Sequence, residues 1–383
     1  MNPLFATLPT SIFAHTSQLA AEHDAVNLGQ GFPDFGWPED VVERAAALLR
    51  EGPNQYPPMR GLPVLREALA EHYRQHQGVA CAVDDITITS GATEALAAAI
   101  LALVSPGEEV VLFQPLYDAY LPMVRRAGGM PRLVTLTPPD WRITAEALDR
   151  AIGPKTRLLI FNNPHNPTAR MFDDAELALV AQACVRHDLI ALSDEVWEHV
   201  VFGGRAHRPL STLPGMAERT VKVGSAGKIF SLTGWKVGWI LAPAQLASPI
   251  AKAHQYVTFA TPPNLQGAVA YGLGKASDYY LAMRSAFEHA RDAMVGALRA
   301  GGWATLAAEG TYFVCLDLAA SGIEAQDVTF CERAVREAGV AAIPVSAFYD
   351  TEASSNVVRL CFAKQPGTIA EGVERLSAAR DLF

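Results

Sequence analysis

A lysine set among small residues, Ser225-Ala226-Gly227-Lys228, has more chemistry open to it than any other side chain in this sequence. It follows the β-branched run Thr220-Val221-Lys222-Val223, which predicts a buried strand, so residues 225–228 are expected as a tight turn beyond that strand's carboxyl end. In open α/β sheets ligands settle at that edge. A lysine there, partly desolvated and close to another cation such as Lys236, loses proton affinity and can attack a carbonyl to give a Schiff base. An ordinary surface lysine is the competing reading, and only partners decide between the two.

Five further stretches supply candidate partners. Ile86-Thr87-Ile88-Thr89 reads as a strand, and Ser90-Gly91-Ala92-Thr93-Glu94 opens the helix after it. Free backbone N–H groups there, with Gly91 permitting close approach, make an anion site, against the simpler reading of an N-cap. Residues 109–113 form a strand that delivers Tyr117 and Tyr120, able to stack on a planar ring or to fill the core. Residues 158–161 run into Asn162-Asn163-Pro164-His165-Asn166-Pro167-Thr168, whose prolines forbid a helix, fix side-chain directions and permit cis peptides. The strand 189–192 ends in Ser193-Asp194-Glu195, where Asp194 either caps a turn or holds a buried cation. Arg359 lies inside the apolar run Val357-Val358-Arg359-Leu360-Cys361-Phe362 and must meet an anion, through an internal salt bridge or as a bidentate clamp for a substrate carboxylate.

These residues need a scaffold. The first forty residues read as irregular, ending in the Gly/Pro-punctuated stretch Gly29-Gln30-Gly31-Phe32-Pro33-Asp34-Phe35-Gly36-Trp37-Pro38, which is suited to walls rather than a core layer. A helix over 39–51, a rigid loop over 54–61 and a helix over 62–76 follow. From Asp85 strands alternate with helices, including one over 174–186 and a strand over 237–241. Near Lys275 the pattern shifts to a long helix over 278–300, short strands at 304–306, 311–316, 341–344 and 357–362, and helices over 326–338 and at the end. The fold class is α/β: a mainly parallel sheet sandwiched by helices, plus a smaller α+β domain. We divide the chain into an N-terminal arm with a small-domain part (1–40), a large domain (41–277) and a small C-terminal domain (278–383).

At 383 residues and 50% hydrophobic content the chain can bury a large core. Thirty-one Lys and Arg against 40 Asp and Glu give a net charge of −9, which argues against nucleic-acid or anionic-membrane surfaces. The five cysteines lack a CxxC pair, so neither zinc nor a disulfide framework is indicated. No apolar run reaches the length of a membrane span and the start has no basic n-region, so a cytoplasmic protein is expected. A dinucleotide fingerprint is missing. Gly227-Lys228 has Lys222 where a P-loop needs glycine and Ile229 where it needs Ser or Thr, which sets nicotinamide and ATP chemistry aside.

Taken in order, Ser90-Gly91-Ala92-Thr93-Glu94-Ala95, the Asn-Pro-His-Asn-Pro loop, Ser193-Asp194-Glu195-Val196, Ser225-Ala226-Gly227-Lys228 and Arg359 resemble the class I/II pyridoxal-phosphate aminotransferases of fold type I, over nearly the whole chain. Gly29 to Phe35, Gly234-Trp235-Lys236-Val237-Gly238-Trp239 and His254-Gln255-Tyr256-Val257-Thr258-Phe259 narrow the resemblance to bacterial methionine aminotransferases and kynurenine/glutamine transaminases. The resemblance implies pyridoxal 5'-phosphate held by Lys228, which also moves the substrate proton. It further implies Asp194 at the pyridine nitrogen, Asn166 at the phenolic oxygen and Tyr117 on the ring face. The phosphate would meet Gly91, Ala92, Ser225 and Lys236, with Tyr56 reaching it from the other subunit of a homodimer with shared sites. One departure stands out: three residues after the aspartate the family usually has a tyrosine that bonds the phenolic oxygen, and here it is Trp197, whose indole donates but neither ionises nor accepts.

The expected reaction is transfer of an amino group from an L-amino acid to a 2-oxo acid. A cysteine-S-conjugate β-lyase is the alternative within the family, and a ligand-sensing relative without turnover is disfavoured because no DNA-binding module fits before Gly29. Phe32, Trp37, Phe259 and Phe348 suggest an apolar or aromatic pocket beside Arg359 and Asn166, so methionine, glutamine and aromatic amino acids are the candidate substrates. Each of those aromatics could equally belong to the core.

Overall fold

Side-chain caps organise the start of the chain. The computed structural model describes residues 1–351 and 356–383. Asn2 accepts from the Leu4 N–H at 3.0 Å ahead of the helix Pro3–Thr7, and Ser11 accepts from the Ala14 N–H at 3.2 Å ahead of Ile12–Glu22. The expectation of forty irregular residues is therefore corrected: two capped helices precede the short strand β1 (Val26–Asn27).

Seven segments build the larger sheet: β2 (Ile86–Ser90), β3 (Glu109–Gln114), β4 (Met130–Thr135), β5 (Thr156–Asn162), β6 (Ile190–Asp194), β7 (Thr220–Ser225) and β8 (Val237–Leu241). Their order is β2-β8-β7-β6-β5-β3-β4, all parallel except β8, which is antiparallel to both neighbours. Alternation along each strand sends Val110, Leu112, Leu158 and Ile160 into one core with the helix Gly91–Leu103, and Val111, Phe113, Leu159 and Phe161 into another with Asp174–Arg186. Both faces are covered, which is why these strands read as unbroken apolar runs. β4 was not anticipated; it is an edge strand with Met130 exposed and Pro131 inside it, a residue tolerated only where no ladder donor is missed.

The remaining strands are β9 (Ala304–Thr305), β10 (Phe313–Asp317), β11 (Val340–Ala341), β12 (Ile343–Pro344) and β13 (Val357–Cys361). Four of them form an antiparallel sheet, β12-β13-β10-β9, while β11 pairs in parallel with β1. The 24-residue helix Ser277–Ala300, about 36 Å long, buries Phe287, Met294 and Leu298. In the middle of this sheet Arg359 lies between Cys315 on β10 and Ile343 on β12.

Candidate active site

Strand register gathers the site. Asn162 and Asp194 are neighbours at the carboxyl ends of β5 and β6, and Ser225 ends β7 opposite Gly238. Because β8 runs in reverse, its start brings Lys236 to the same edge. A cavity of about 340 Å³ opens there, lined by Gly91, Ala92, Tyr117, Asn166, Asp194, Trp197, Ser225, Lys228, Lys236 and Arg359. These side chains come from separate strands, loops and the smaller sheet.

Lys228 lies in a single helical turn, Ala226–Ile229, rather than in the expected tight turn. Its Nζ donates to Tyr312 Oη at 2.9 Å, and Tyr312 in turn donates to the Gly31 carbonyl at 2.7 Å. Burial pushes the amine down to about 8; the positive charges of Arg359 and Lys236 add to this, while Cys361 and Asp194 oppose it. About a tenth of such an amine is unprotonated at pH 7, roughly a few hundred times the fraction of an ordinary lysine, and the unprotonated form is the nucleophile.

Asp194 accepts from Tyr120 Oη at 2.7 Å and from the Val196 N–H at 3.4 Å. Burial nevertheless pushes its carboxyl up to about 6, with those hydrogen bonds resisting. A cationic partner in the cavity would restore the carboxylate. Asn162 fixes the strand end by donating to the Asp194 carbonyl at 2.9 Å.

Gly91 has φ +74°, and a Cβ there would sit 3.1 Å from Lys236 Nζ; a Cβ on Gly238 would come within 2.5 Å of the Gly91 carbonyl carbon. Backbone and lysine therefore approach each other as closely as glycine allows, at the first turn of a 13-residue helix. A helix start of this kind with a lysine beside it has the geometry to hold an anion.

Arg359 is fully buried. It donates through Nη1 to Asn166 Oδ1 at 2.7 Å and through Nη2 to the Gly29 carbonyl at 3.2 Å, while its Nε has no partner. Its guanidinium carbon stacks 3.9 Å from the Phe313 ring centre. Among the described residues no carboxylate forms an ion pair with it, so the internal salt bridge is not what holds this charge. Burial lowers its pKa to about 10. A substrate carboxylate would relieve both the orphaned N–H and the uncompensated charge.

Several expected residues lie elsewhere. Tyr56 is 85% exposed and packs edge-on against Phe259, ring centres 5.5 Å apart; Phe32, Trp37 and Phe259 are exposed as well and do not line the cavity of the single chain. Phe348 requires a correction: it is buried behind Arg359, 5.1 Å from its guanidinium carbon, because the guanidinium needs an apolar backing there. Phe13 and Phe313 form the wall instead. Phe13 was missed with its helix. Tyr312 was missed because it reads as part of a core run; Tyr120 was named with Tyr117 as a stacking or core residue, and its hydrogen bond to Asp194 went unforeseen because no sequence pattern shows which tyrosine turns inward.

Behind the site, Lys222 Nζ lies 2.5 Å from Glu195 and 2.7 Å from Glu198, and His207 Nε2 lies 2.7 Å from Glu195. The two carboxylates and His207 are close enough to hold a metal ion, but the buried ammonium already fills their centre.

An amine made nucleophilic by burial, an anion cradle and a carboxylate awaiting a cation, arranged at one edge of an α/β sheet, define a pyridoxal-phosphate enzyme of fold type I. The chain belongs to the family described as "Aminotransferase class I and II", whose profile matches residues 23–376. It is 42% identical over 370 residues to methionine aminotransferase of Escherichia coli K12, covering 96% of each chain. Kynurenine–oxoglutarate transaminase of Dictyostelium discoideum is 35% identical over 405 residues, covering 96% of this chain and 93% of that one. The solved structure of N-succinyldiaminopimelate aminotransferase from Mycobacterium tuberculosis superposes with a TM-score of 0.95 at 41% identity, covering 98% and 99% of the two chains. This chain is accordingly a pyridoxal-phosphate-dependent aminotransferase.

Proposed function

We propose that the donor is an L-amino acid of methionine, glutamine or aromatic type, its amino group passing to a 2-oxo acid. The observation that carries this reading is the buried Arg359, its Nε unpartnered, facing the same cavity as Lys228. The other cations lining the cavity are Lys228 and Lys236, which this reading assigns to the reacting amine and the phosphate. Phe13, Leu96, Val196 and Phe313 supply apolar walls, which suits a neutral side chain better than a second carboxylate.

Residue roles follow. Bound pyridoxal phosphate supplies an electron sink for the charge left at the substrate Cα. Lys228 holds the cofactor, then serves as base for the Cα proton. Asp194, oriented by Tyr120, would meet the ring nitrogen as a carboxylate; Asn166 steadies Arg359 and would donate to the ring oxygen. Tyr117 covers the ring, and Gly91, Ala92, Ser225 and Lys236 hold the phosphate. Trp197 closes the cavity beside the ring.

Tyr56 and Phe259 complete the site of a second copy in a homodimer, in keeping with their exposure on the single chain. The division into 1–40 with 278–383, against 41–277, has support in the pairing of β1 with β11. A cytoplasmic location accords with five unpaired cysteines; among the described residues no helix is long and apolar enough to cross a membrane.

The test is an initial-rate panel of amino acids against several 2-oxo acids, with borohydride fixation of the cofactor mapped by peptide mass spectrometry. Fixation on Lys228, lost in Lys228→Ala together with transfer, is expected. Fixation elsewhere would sink the assignment, and pyruvate release without any acceptor would favour the β-lyase.

A further inference from the structure

Position 197 lacks a phenol, yet a phenol stands at the reacting amine. Tyr312 reaches Lys228 from the residues just before β10, fully buried, with its oxygen 2.9 Å from Nζ. A phenol has one proton to give. That proton is committed to the Gly31 carbonyl at 2.7 Å, so only lone pairs face Lys228 and the amine must donate. Trp197 meets the Tyr312 ring edge-on, centres 4.3 Å apart, with Lys228 Nζ 4.6 Å from the indole centre. The indole thereby holds the phenol in place and blocks Nζ from swinging to that side. Tyr312 has no part in the roles that the family resemblance carries over.

We propose that Tyr312 orients Lys228 and favours the protonated form of its released amine, with the polarity of the contact set by the Gly31 carbonyl. Because Gly31, Tyr312 and Lys228 come from the N-terminal segment, the smaller sheet and the larger sheet, the lysine is held only when all three are assembled. The charged and titratable groups that face Nζ are Asp194 from β6, Lys236 from the start of β8, and Arg359 and Cys361 from β13, besides Tyr312 itself. Among the described residues, Tyr312 is the one that touches it by a hydrogen bond.

The inference rests on Lys228 being the reacting amine, which borohydride mapping tests separately, so the two can fail independently. Its own test uses cofactor-free protein: the pH dependence of Lys228 acetylation by acetic anhydride, read by peptide mass spectrometry. Tyr312→Phe removes one oxygen and keeps the ring against Trp197. Loss of an acceptor destabilises the ammonium, so the midpoint should fall from near 8, and the unprotonated fraction at pH 7 should rise about three- to tenfold. A midpoint superimposable on that of the unaltered protein, or one moved upward, overturns the proposal. Incorporation of 3-fluorotyrosine at position 312 keeps the hydroxyl but weakens it as an acceptor, and tests the same sign without altering the packing. It should lower the midpoint by less than Tyr312→Phe, and no shift would again overturn the proposal.

Discussion

Asp194 sets folding against function. With the cofactor absent, burial holds its carboxyl at about 6 against an ordinary 3.8, so the folded state binds a proton more tightly than the unfolded chain does. Stability from that proton is full below about pH 4 and is lost as pH rises through 6. Asp194→Asn should therefore raise the melting temperature of cofactor-free protein at pH 8, by up to about 3 kcal/mol of stability, and change little at pH 4. The same variant should lose transamination, because no negative charge remains to meet the ring nitrogen. Equal melting of both proteins at pH 8 would show that the carboxylate is not under strain. Asp194 and Arg359 were legible because a polar residue at the end of an apolar strand, or inside one, needs a partner; Lys228 stood out by its place beyond a predicted strand, and Asn166 only through the family resemblance. The sequence did not show Phe13 or Tyr312, whose types are equally at home in a core, nor that Tyr120 is the tyrosine that meets Asp194.

At the scale of elements, the reversed strand β8 carries the tightest requirement. Gly238 lies against the backbone of Gly91 and Ala92, where an added methyl would come within 2.5 Å and 2.6 Å. Backbone cannot step aside as a flexible side chain can, so Gly238→Ala should displace the first turn of Gly91–Leu103. The expected cost of about 1–3 kcal/mol from overpacking would appear as cofactor affinity weakened roughly tenfold or more, measured by titrating cofactor into stripped protein. Unchanged affinity would mean that the phosphate sits elsewhere. Strong periodicity made the long helices and central strands legible, among them Glu39–Glu51, Asp174–Arg186 and β8. The missing elements were those with weak local signals, among them two short N-terminal helices, the helices Tyr120–Arg126 and Ala145–Ala151, the helical turn at Lys228, and an edge strand interrupted by proline. Their boundaries are set by tertiary contacts that no local window contains.

For the whole molecule, the single chain leaves large aromatics bare: Tyr56 and Tyr256 are 85% and 86% exposed, and Tyr56 packs edge-on against the exposed Phe259. Light scattering should report a particle of roughly twice 41.1 kDa. A sharper expectation comes from mixing. If Tyr56 serves the other subunit's phosphate, dissociating and reassociating inactive Lys228→Ala with a Tyr56→Ala variant should give hybrid dimers with one intact site. Random assortment then returns roughly a quarter of the original activity. No recovery above the Tyr56→Ala protein alone would rule out shared sites. The N-terminal segment has its own consequence for how the molecule comes into being. Its Gly29, Gly31 and Phe32 carbonyls accept from Arg359, Tyr312 and Lys364, and β1 pairs with β11. Gly29 is made 330 residues before Arg359, which at ribosomal rates is about 15–65 s. For most of that interval the newborn chain carries a segment whose partners do not yet exist, so residues 26–32 are among the last to find their place.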